Sequence, residues 1–212
     1  MFYDPTREAH GLKHDPWKSL VVPRPIGWVS TVSTSGVVNL APYSFFNGVS
    51  DHPHYVMFAS AGLKDSQRNA EETGEFVCVM STKALQEHMN ITAADLRHDE
   101  SEVPYAGLTP VASTNVKPPR FAESPVAIEC EYHQTVQLPA GRDPNRAPYA
   151  VVFGRVVGIH IDDTIIKDGM VDVGAMQPIA RLGYHDYAVV REDTIFSMIR
   201  PSADELRAKA SA

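Results

Sequence analysis

Two stretches of the chain concentrate side chains able to hold a ligand. In RPIGWVSTVSTSGVVNLAPYSFFNGVS, residues 24–50, hydroxyls and aromatic rings are mixed with aliphatic residues. Two β-rich runs flank Thr34-Ser35-Gly36, which reads as a tight hairpin connection. A purely structural hairpin would continue with polar residues turned to water, but the chain continues Pro42-Tyr43-Ser44-Phe45-Phe46-Asn47-Gly48. Aromatic faces beside hydrogen-bonding groups, in a segment too irregular for a plain strand, suit a flat and partly polar ligand better than a core.

The second stretch is KDSQRNAEETGE, a short helix opening at Lys64-Asp65-Ser66 and closing at Gly74, with Asp65 or Ser66 as its cap. A helix start offers unpaired N–H groups and a partial positive charge, so it attracts phosphate. Lys64 and Arg68 add charge there, and Ser66 adds a hydroxyl. An ordinary capped helix with solvated basic residues explains the same letters. Proximity to the aromatic-hydroxyl segment favours a phosphate-bearing ring cofactor.

Other chemistries lack their residues. His52 and His54, or His10 and His14, are the close histidine pairs, and neither has a third ligand at a metal-site spacing. No GxSxG appears, so covalent hydrolysis has no signature. Cys130 falls on an alternating strand pattern with Val126, Ile128, Tyr132, Val136 and Leu138 on one face. Cys78 lies within the apolar run FVCVM, a strand buried on both sides. Both thiols are expected to be inert packing groups. Arg142 and Arg146, in the surface loop LPAGRDPNRAP, read as solvated.

The elements that must position these residues are mostly strands, expected near 26–33, 37–41, 54–60, 75–81, 125–137 and 149–161. In YAVVFGRVVGIHID the alternation puts Val151, Phe153, Val157, Ile159 and Ile161 on one face. Gly154 and Gly158, on the other, point to a bulge or a close approach. His133 and His160 lie on strands and read as packing residues. Further helices are expected at STKALQEHMNI, capped by Ser81 or Thr82, and at the C-terminal SADELRAKA. Many strands with little helix between them give an antiparallel barrel or sandwich. No GxGxxG follows the first strand and no Walker sequence is present.

Composition narrows the class. The 212 residues, without repeat or low-complexity linker, read as one domain spanning 1–212 with its core at about 16–190. Hydrophobic residues make up 43% and charged residues 21%, ordinary for a globular protein. A formal charge of −7 without a basic cluster argues against nucleic acid or an anionic membrane as partner. The N-terminal residues show no signal-peptide pattern, and no apolar run reaches the ~20 residues of a membrane span. A cytoplasmic enzyme or binding protein is expected.

The residues at 24–58, then KDSQRNAEETGEFVCVM, PYAVVFGRVVGIHI and ARLGYHDY, resemble the flavin reductase-like family in order and spacing. These are FMN-binding split-barrel proteins, including flavoredoxin and the reductase components of two-component flavin monooxygenases. The resemblance implies a mainly β, antiparallel Greek-key split barrel that binds FMN as a homodimer. It implies that Arg24, Trp28, Ser30 and Thr31, with Ser44, Phe45, Phe46 and Asn47, surround the flavin ring and ribityl chain. It places Lys64, Asp65 and Ser66 at the phosphate, and Arg181, Leu182, Gly183 and Tyr184 near the flavin. It further implies electron transfer from NAD(P)H or a redox partner protein through FMN to an acceptor. Two departures stand out. Tyr184 and His185 follow Gly183 where a second glycine is common. Asn145-Arg146-Ala147-Pro148 replaces the Gly-Asp-His of many NAD(P)H:flavin reductases, which leans the chain towards the flavoredoxin-like branch. A non-catalytic FMN carrier and a pyridoxamine-phosphate oxidase-like barrel are the alternative readings.

Overall fold

The computed structural model describes residues 1–210. Along the first half run α1 (Trp17–Leu20), β1 (Arg24–Pro25), β2 (Gly27–Val32), β3 (Val38–Tyr43), β4 (Phe46–Asp51) and β5 (His54–Ala61). Then come α2 (Asp65–Thr73), β6 (Glu75–Val79), α3 (Gln86–Ile91) and α4 (Val103–Ala106). Two short strands, β7 (Pro110–Val111) and β8 (Arg120–Phe121), precede the long pair β9 (Val126–Gln137) and β10 (Tyr149–Ile161). The chain continues through β11 (Ile166–Lys167), β12 (Met170–Val171), α5 (Val173–Met176), β13 (Ile179–Arg181), β14 (Tyr187–Val189) and α6 (Ala203–Ala210).

Seven strands form one antiparallel sheet in the order β3-β2-β6-β9-β10-β5-β4. Its edge strands β3 and β4 are consecutive in the chain, joined only by Ser44 and Phe45. Three peptide steps from Tyr43 to Phe46 span at most about 11 Å. The sheet therefore curls until its two edges meet corner to corner, and the Ser44-Phe45 link sits at that corner. A separate sheet, β1-β13-β14, brings Arg24 opposite Arg181.

Hydrophobic residues pack on both sides of the sheet. Trp28, Leu40, Val77 and Val79 join Leu85, Met89 and Phe121 on one side. Val29, Phe58, Phe76, Cys78, Cys130 and Val152 pack on the other, with Ala70 of α2 over them. Both faces of β6 are thus covered, which is why FVCV is apolar without alternation. Cys78 and Cys130 are free and buried. The adjacent Cys78 thiol, with burial, holds the Cys130 thiol well above its ordinary range, so it stays protonated and inert.

Several sequence expectations are corrected. Residues 46–51 form a strand with a register shift between Gly48 and Ser50, because pairing with β5 supplies the backbone partners that the sequence pattern did not announce. The helix after Thr82 starts only at Gln86, with Leu85 at its cap position and no side-chain cap. Val136 and Leu138 are exposed, since β9 and β10 run beyond the core as a hairpin arm. The alternation expected on β10 is present at Val151 and Phe153, and the buried face is the opposite one, with Ala150, Val152 and Gly154. Register shifts at Phe153/Gly154 and Val156/Gly158 bear out the expected bulges. A Cβ at Gly154 would run into the Phe76 ring, and one at Gly158 would lie 3.0 Å from Glu129 Oε2.

Candidate functional site

The curl of the sheet brings the two chemically rich stretches together. A cavity of about 310 Å³ is lined by Ser44 and Phe45 on one side and Lys64, Asp65 and Ser66 on the other, with Asn39, Tyr43 and Glu102 between them. The start of α2 is held there by a buried polar cluster. Asn39 Nδ2 donates to Ser66 Oγ at 2.9 Å, and Asn69 Nδ2 donates to Thr31 Oγ1 at 3.1 Å. Those bonds tie the first turns of α2 to β2 and β3, so the helix start cannot drift from the sheet corner.

The cap differs from the sequence expectation. Lys64, with extended backbone, occupies the cap position and makes no side-chain cap hydrogen bond; neither Asp65 nor Ser66 is the cap. First-turn N–H groups left without a side-chain acceptor are open to an anion. Gly74 ends the helix in the left-handed conformation, as expected. Lys64 Nζ pairs with Asp95 at 3.5 Å, and Asp65 takes His98 Nδ1 at 2.5 Å and Arg68 at 3.8 Å.

Phe45 and Tyr149 meet edge to face with centroids 5.7 Å apart, forming an aromatic wall. That wall is shared with a larger cavity of about 770 Å³, mostly apolar, bounded by Trp17, Met57, Ala147 and Val151. A third cavity, sharing Lys18, Pro42 and Ser44 with the first, is lined by Arg24, Arg181 and Tyr184.

Within this frame the other named residues take distinct places. Arg24 is buried, donating to the Lys18 carbonyl, to Val21 O at 2.6 Å and to Leu182 O at 2.7 Å, while its guanidinium carbon lies 5.6 Å from the Phe45 ring centre. Burial first, and Arg181 second, lower its pKa. Arg181 stacks on Tyr187 at 4.5 Å and donates to the Tyr184 carbonyl. Gly183 packs against Ser19 so closely that no side chain would fit. Tyr184 adopts φ +53°, in the left-handed region that favours glycine. Trp28, Ser30 and Thr31 are fully buried and line none of these cavities; Trp28 Nε1 donates instead to Thr92 Oγ1 at 2.8 Å. Phe46 folds over Gly27, and Asn47 is exposed.

Two cavity residues have no sequence signal as site residues. Tyr43 is only 8% exposed, yet its Oη makes no well-formed hydrogen bond despite neighbouring Ser60 and Ser66 hydroxyls. Glu102, 5% exposed, accepts from the Leu40 N–H at 3.2 Å. Burial pushes its carboxyl up, its own and Leu40's N–H groups oppose this, and Asp65 and Glu100 add to the rise. Tyr43 is one aromatic among several in the irregular segment 42–48 and is not singled out there, and Glu102 stands in a segment with no periodicity at all.

Among the described residues no three His, Cys, Asp or Glu side chains are placed to hold a metal ion, and no helix is long and apolar enough to cross a membrane. The site offers an aromatic wall, backbone donors, a lysine and buried hydroxyls. Such a set suits a planar anionic molecule.

Comparison with known proteins bears on the same span. Residues 19–187 match the model of the flavin reductase like domain. YwrF of Bacillus subtilis is 38% identical over 188 residues, covering 86% of this chain and 90% of its own. Nitrilotriacetate monooxygenase component B from Bacillus cereus is 31% identical with a TM-score of 0.83, over 93% of this chain and 98% of that one. The 2-nitrobenzoate 2-nitroreductase NbaA of Pseudomonas fluorescens is 26% identical with a TM-score of 0.81, over 96% and 100%.

Proposed function

This chain belongs to the flavin reductase-like family, and from that premise we propose that it is an FMN-dependent oxidoreductase. The observation that carries the reading is the cavity at the sheet corner, where an aromatic wall and an uncapped helix start face one space. The unpartnered Tyr43 hydroxyl and the free first-turn N–H groups fit a ligand with a polar chain and an anionic end. FMN has that shape, with a flat ring suited to the Phe45–Tyr149 side. When bound, FMN supplies hydride acceptance and onward electron transfer. Likeness to a monooxygenase component and to a nitroreductase supports redox chemistry.

The chain's own residues would act by placement. Ser44 and Phe45 hold the ring end through backbone donors and aromatic contact. Lys64 and Ser66 hold the phosphate end. Arg24 and Arg181 keep positive charge near the ring, where an anionic reduced form is favoured by it. Trp28 and Thr31 act from behind the wall, holding Thr92 and α2 in place.

We further read the protein as a single-domain, cytoplasmic homodimer. Met57, Val151, Phe153 and Tyr149 lie on the outer side of β5 and β10, half-exposed beside the large apolar cavity. A second copy would cover that surface and enclose the ring; such an interface buries on the order of 2,000 Å². Light scattering should give twice the 23.3 kDa chain mass.

The electron donor is NAD(P)H or a partner protein. Asn145-Arg146-Ala147-Pro148, in place of the family's histidine-bearing sequence, favours a carrier fed by a protein partner as the second reading. An absorption spectrum of the flavin-loaded protein under anaerobic NADH and NADPH separates them. Bleaching within seconds supports the reductase; a stable yellow protein supports the carrier. Calorimetry with no binding at tens of micromolar FMN would remove both.

A further inference from the structure

If phosphate sits at the Lys64 helix start, its neighbours pose an electrostatic difficulty. Lys18 and Lys64 line the cavity, but so do Asp65, Asp95 and Glu102. Asp95 and Asp65 are already matched by Lys64, Arg68 and His98. Among the described residues Glu102 has no basic partner within ion-pair distance. A phosphate placed beside an ionised, desolvated carboxylate would be repelled without compensation. The same carboxyl with its proton would donate a hydrogen bond to it.

We propose that Glu102 and Tyr43 are ligand-contacting residues that determine specificity for the phosphorylated end of the flavin, Glu102 as a protonated donor and Tyr43 as a phenol donor. This rests on the FMN reading above and adds two residues and a proton to it. Three observations carry it independently. Glu102 lines the cavity while almost fully buried. Tyr43, in the same wall, keeps a buried hydroxyl without a well-formed partner. The start of α2, lining the same cavity, leaves first-turn N–H groups uncapped by any side chain. Burial favours the neutral acid against the opposing Glu102 and Leu40 N–H groups, and Asp65 and Glu100 reinforce it, so the carboxyl is raised on balance.

The consequence is proton-linked binding. As pH rises and Glu102 ionises, FMN affinity falls; riboflavin, which lacks phosphate, is unaffected. The charged and titratable groups facing this end are Lys18 from α1, Tyr43 from β3, Lys64 and Asp65 from α2, and Asp95 and Glu100 from the segment before α4, with His98 bound to Asp65. The phosphate itself, whose second ionisation lies near ~6 as in phosphoserine, changes charge in the same window. It is common to the wild type and a Glu102 variant, so it cancels in the comparison.

The test is calorimetry of the full-length wild type, Glu102→Gln and Tyr43→Phe with FMN and with riboflavin, from about pH 5 to about pH 8. Expected is a wild-type FMN-over-riboflavin preference that drops about tenfold across the range. Glu102→Gln, neutral throughout, should show a much flatter preference and bind FMN about tenfold more tightly than wild type at the upper end. Tyr43→Phe should lose about fivefold for FMN, with riboflavin changed much less. Identical pH dependence in wild type and Glu102→Gln overturns the role of Glu102, and an unchanged FMN affinity in Tyr43→Phe overturns that of Tyr43. Should Glu102→Gln lose both flavins through misfolding, Glu102→Met takes its place, and an identical pH dependence in wild type and Glu102→Met overturns the proposal. Wild type that binds neither flavin at any pH defeats the FMN reading itself, a different result from flavin binding without proton linkage.

Discussion

Glu129 Oε1 accepts a hydrogen bond from His160 Nε2 at 2.5 Å between neighbouring strands β9 and β10, with the glutamate side chain wholly out of water. The same carboxylate accepts the backbone N–H groups of Thr114 and Asn115, each at 2.7 Å. It pins the loop before β8 to the long hairpin. No part of this cluster lines the cavity at the sheet corner. His160, a packing residue by sequence, instead holds a buried charge.

Burial pushes the Glu129 carboxyl up, but the Thr114 N–H, His160 and the Asn115 N–H outweigh it and hold it below the ordinary carboxylate range. A carboxyl depressed in the folded state contributes stability above its unfolded value that is lost as pH falls through the folded one. Glu129→Gln should therefore cost about 2 kcal/mol at neutral pH, and the gap from wild type should close as pH falls below about 4. Urea unfolding at both pH values measures it; a constant gap would mean that the charge contributes nothing.

Lys64 tests the phosphate end without the proton. Its side chain is half exposed and already paired with Asp95, so the low end of a charged hydrogen bond applies. Lys64→Ala should weaken FMN about tenfold and riboflavin hardly at all. Added salt should narrow the wild-type preference between the two flavins. Equal losses for both flavins would place the damage at the ring site or in the fold.

Trp28 links β2 to Thr92 at the end of α3, and Thr92 lines the cavity. Trp28→Phe leaves that hydroxyl without its donor and a void behind it, for about 2 kcal/mol of stability. Flavin affinity should change by less than about threefold, because the indole itself is walled off. Thermal unfolding and flavin titration of one preparation separate the effects, and a large loss of affinity with intact stability would put the indole in contact with flavin.

Gly154 lies against the Phe76 ring and Cys130 Cβ at the first bulge of β10. Gly154→Ala should overpack this contact and cost about 1–3 kcal/mol, seen as a lower midpoint in urea. An unchanged midpoint would show that the Phe76 ring can move aside.

Local chemistry was legible in the residues themselves. The hairpin at Thr34-Ser35-Gly36 is present, with Gly36 at φ +87°. Gly74 ends α2, Gly154 and Gly158 mark bulges, and FVCV lies buried on both sides, because turn and packing constraints act within a few residues and leave a mark on their types. The match of spaced motifs to a flavin-binding family also needed only the order of letters. Strand β4 did not show itself, since its pairing partner β5 and not its own alternation makes it a strand. Tertiary structure alone decided which ligand-like residues face the cavity. The curl of seven strands brings Ser44-Phe45 to the start of α2, turns Trp28, Ser30 and Thr31 inward, and sets Tyr43 and Glu102, 59 positions apart in the numbering, at one polar end. Burial creates the chemistry there: a tyrosine and a glutamate are ordinary surface residues until desolvation removes their water, and no linear pattern records that removal.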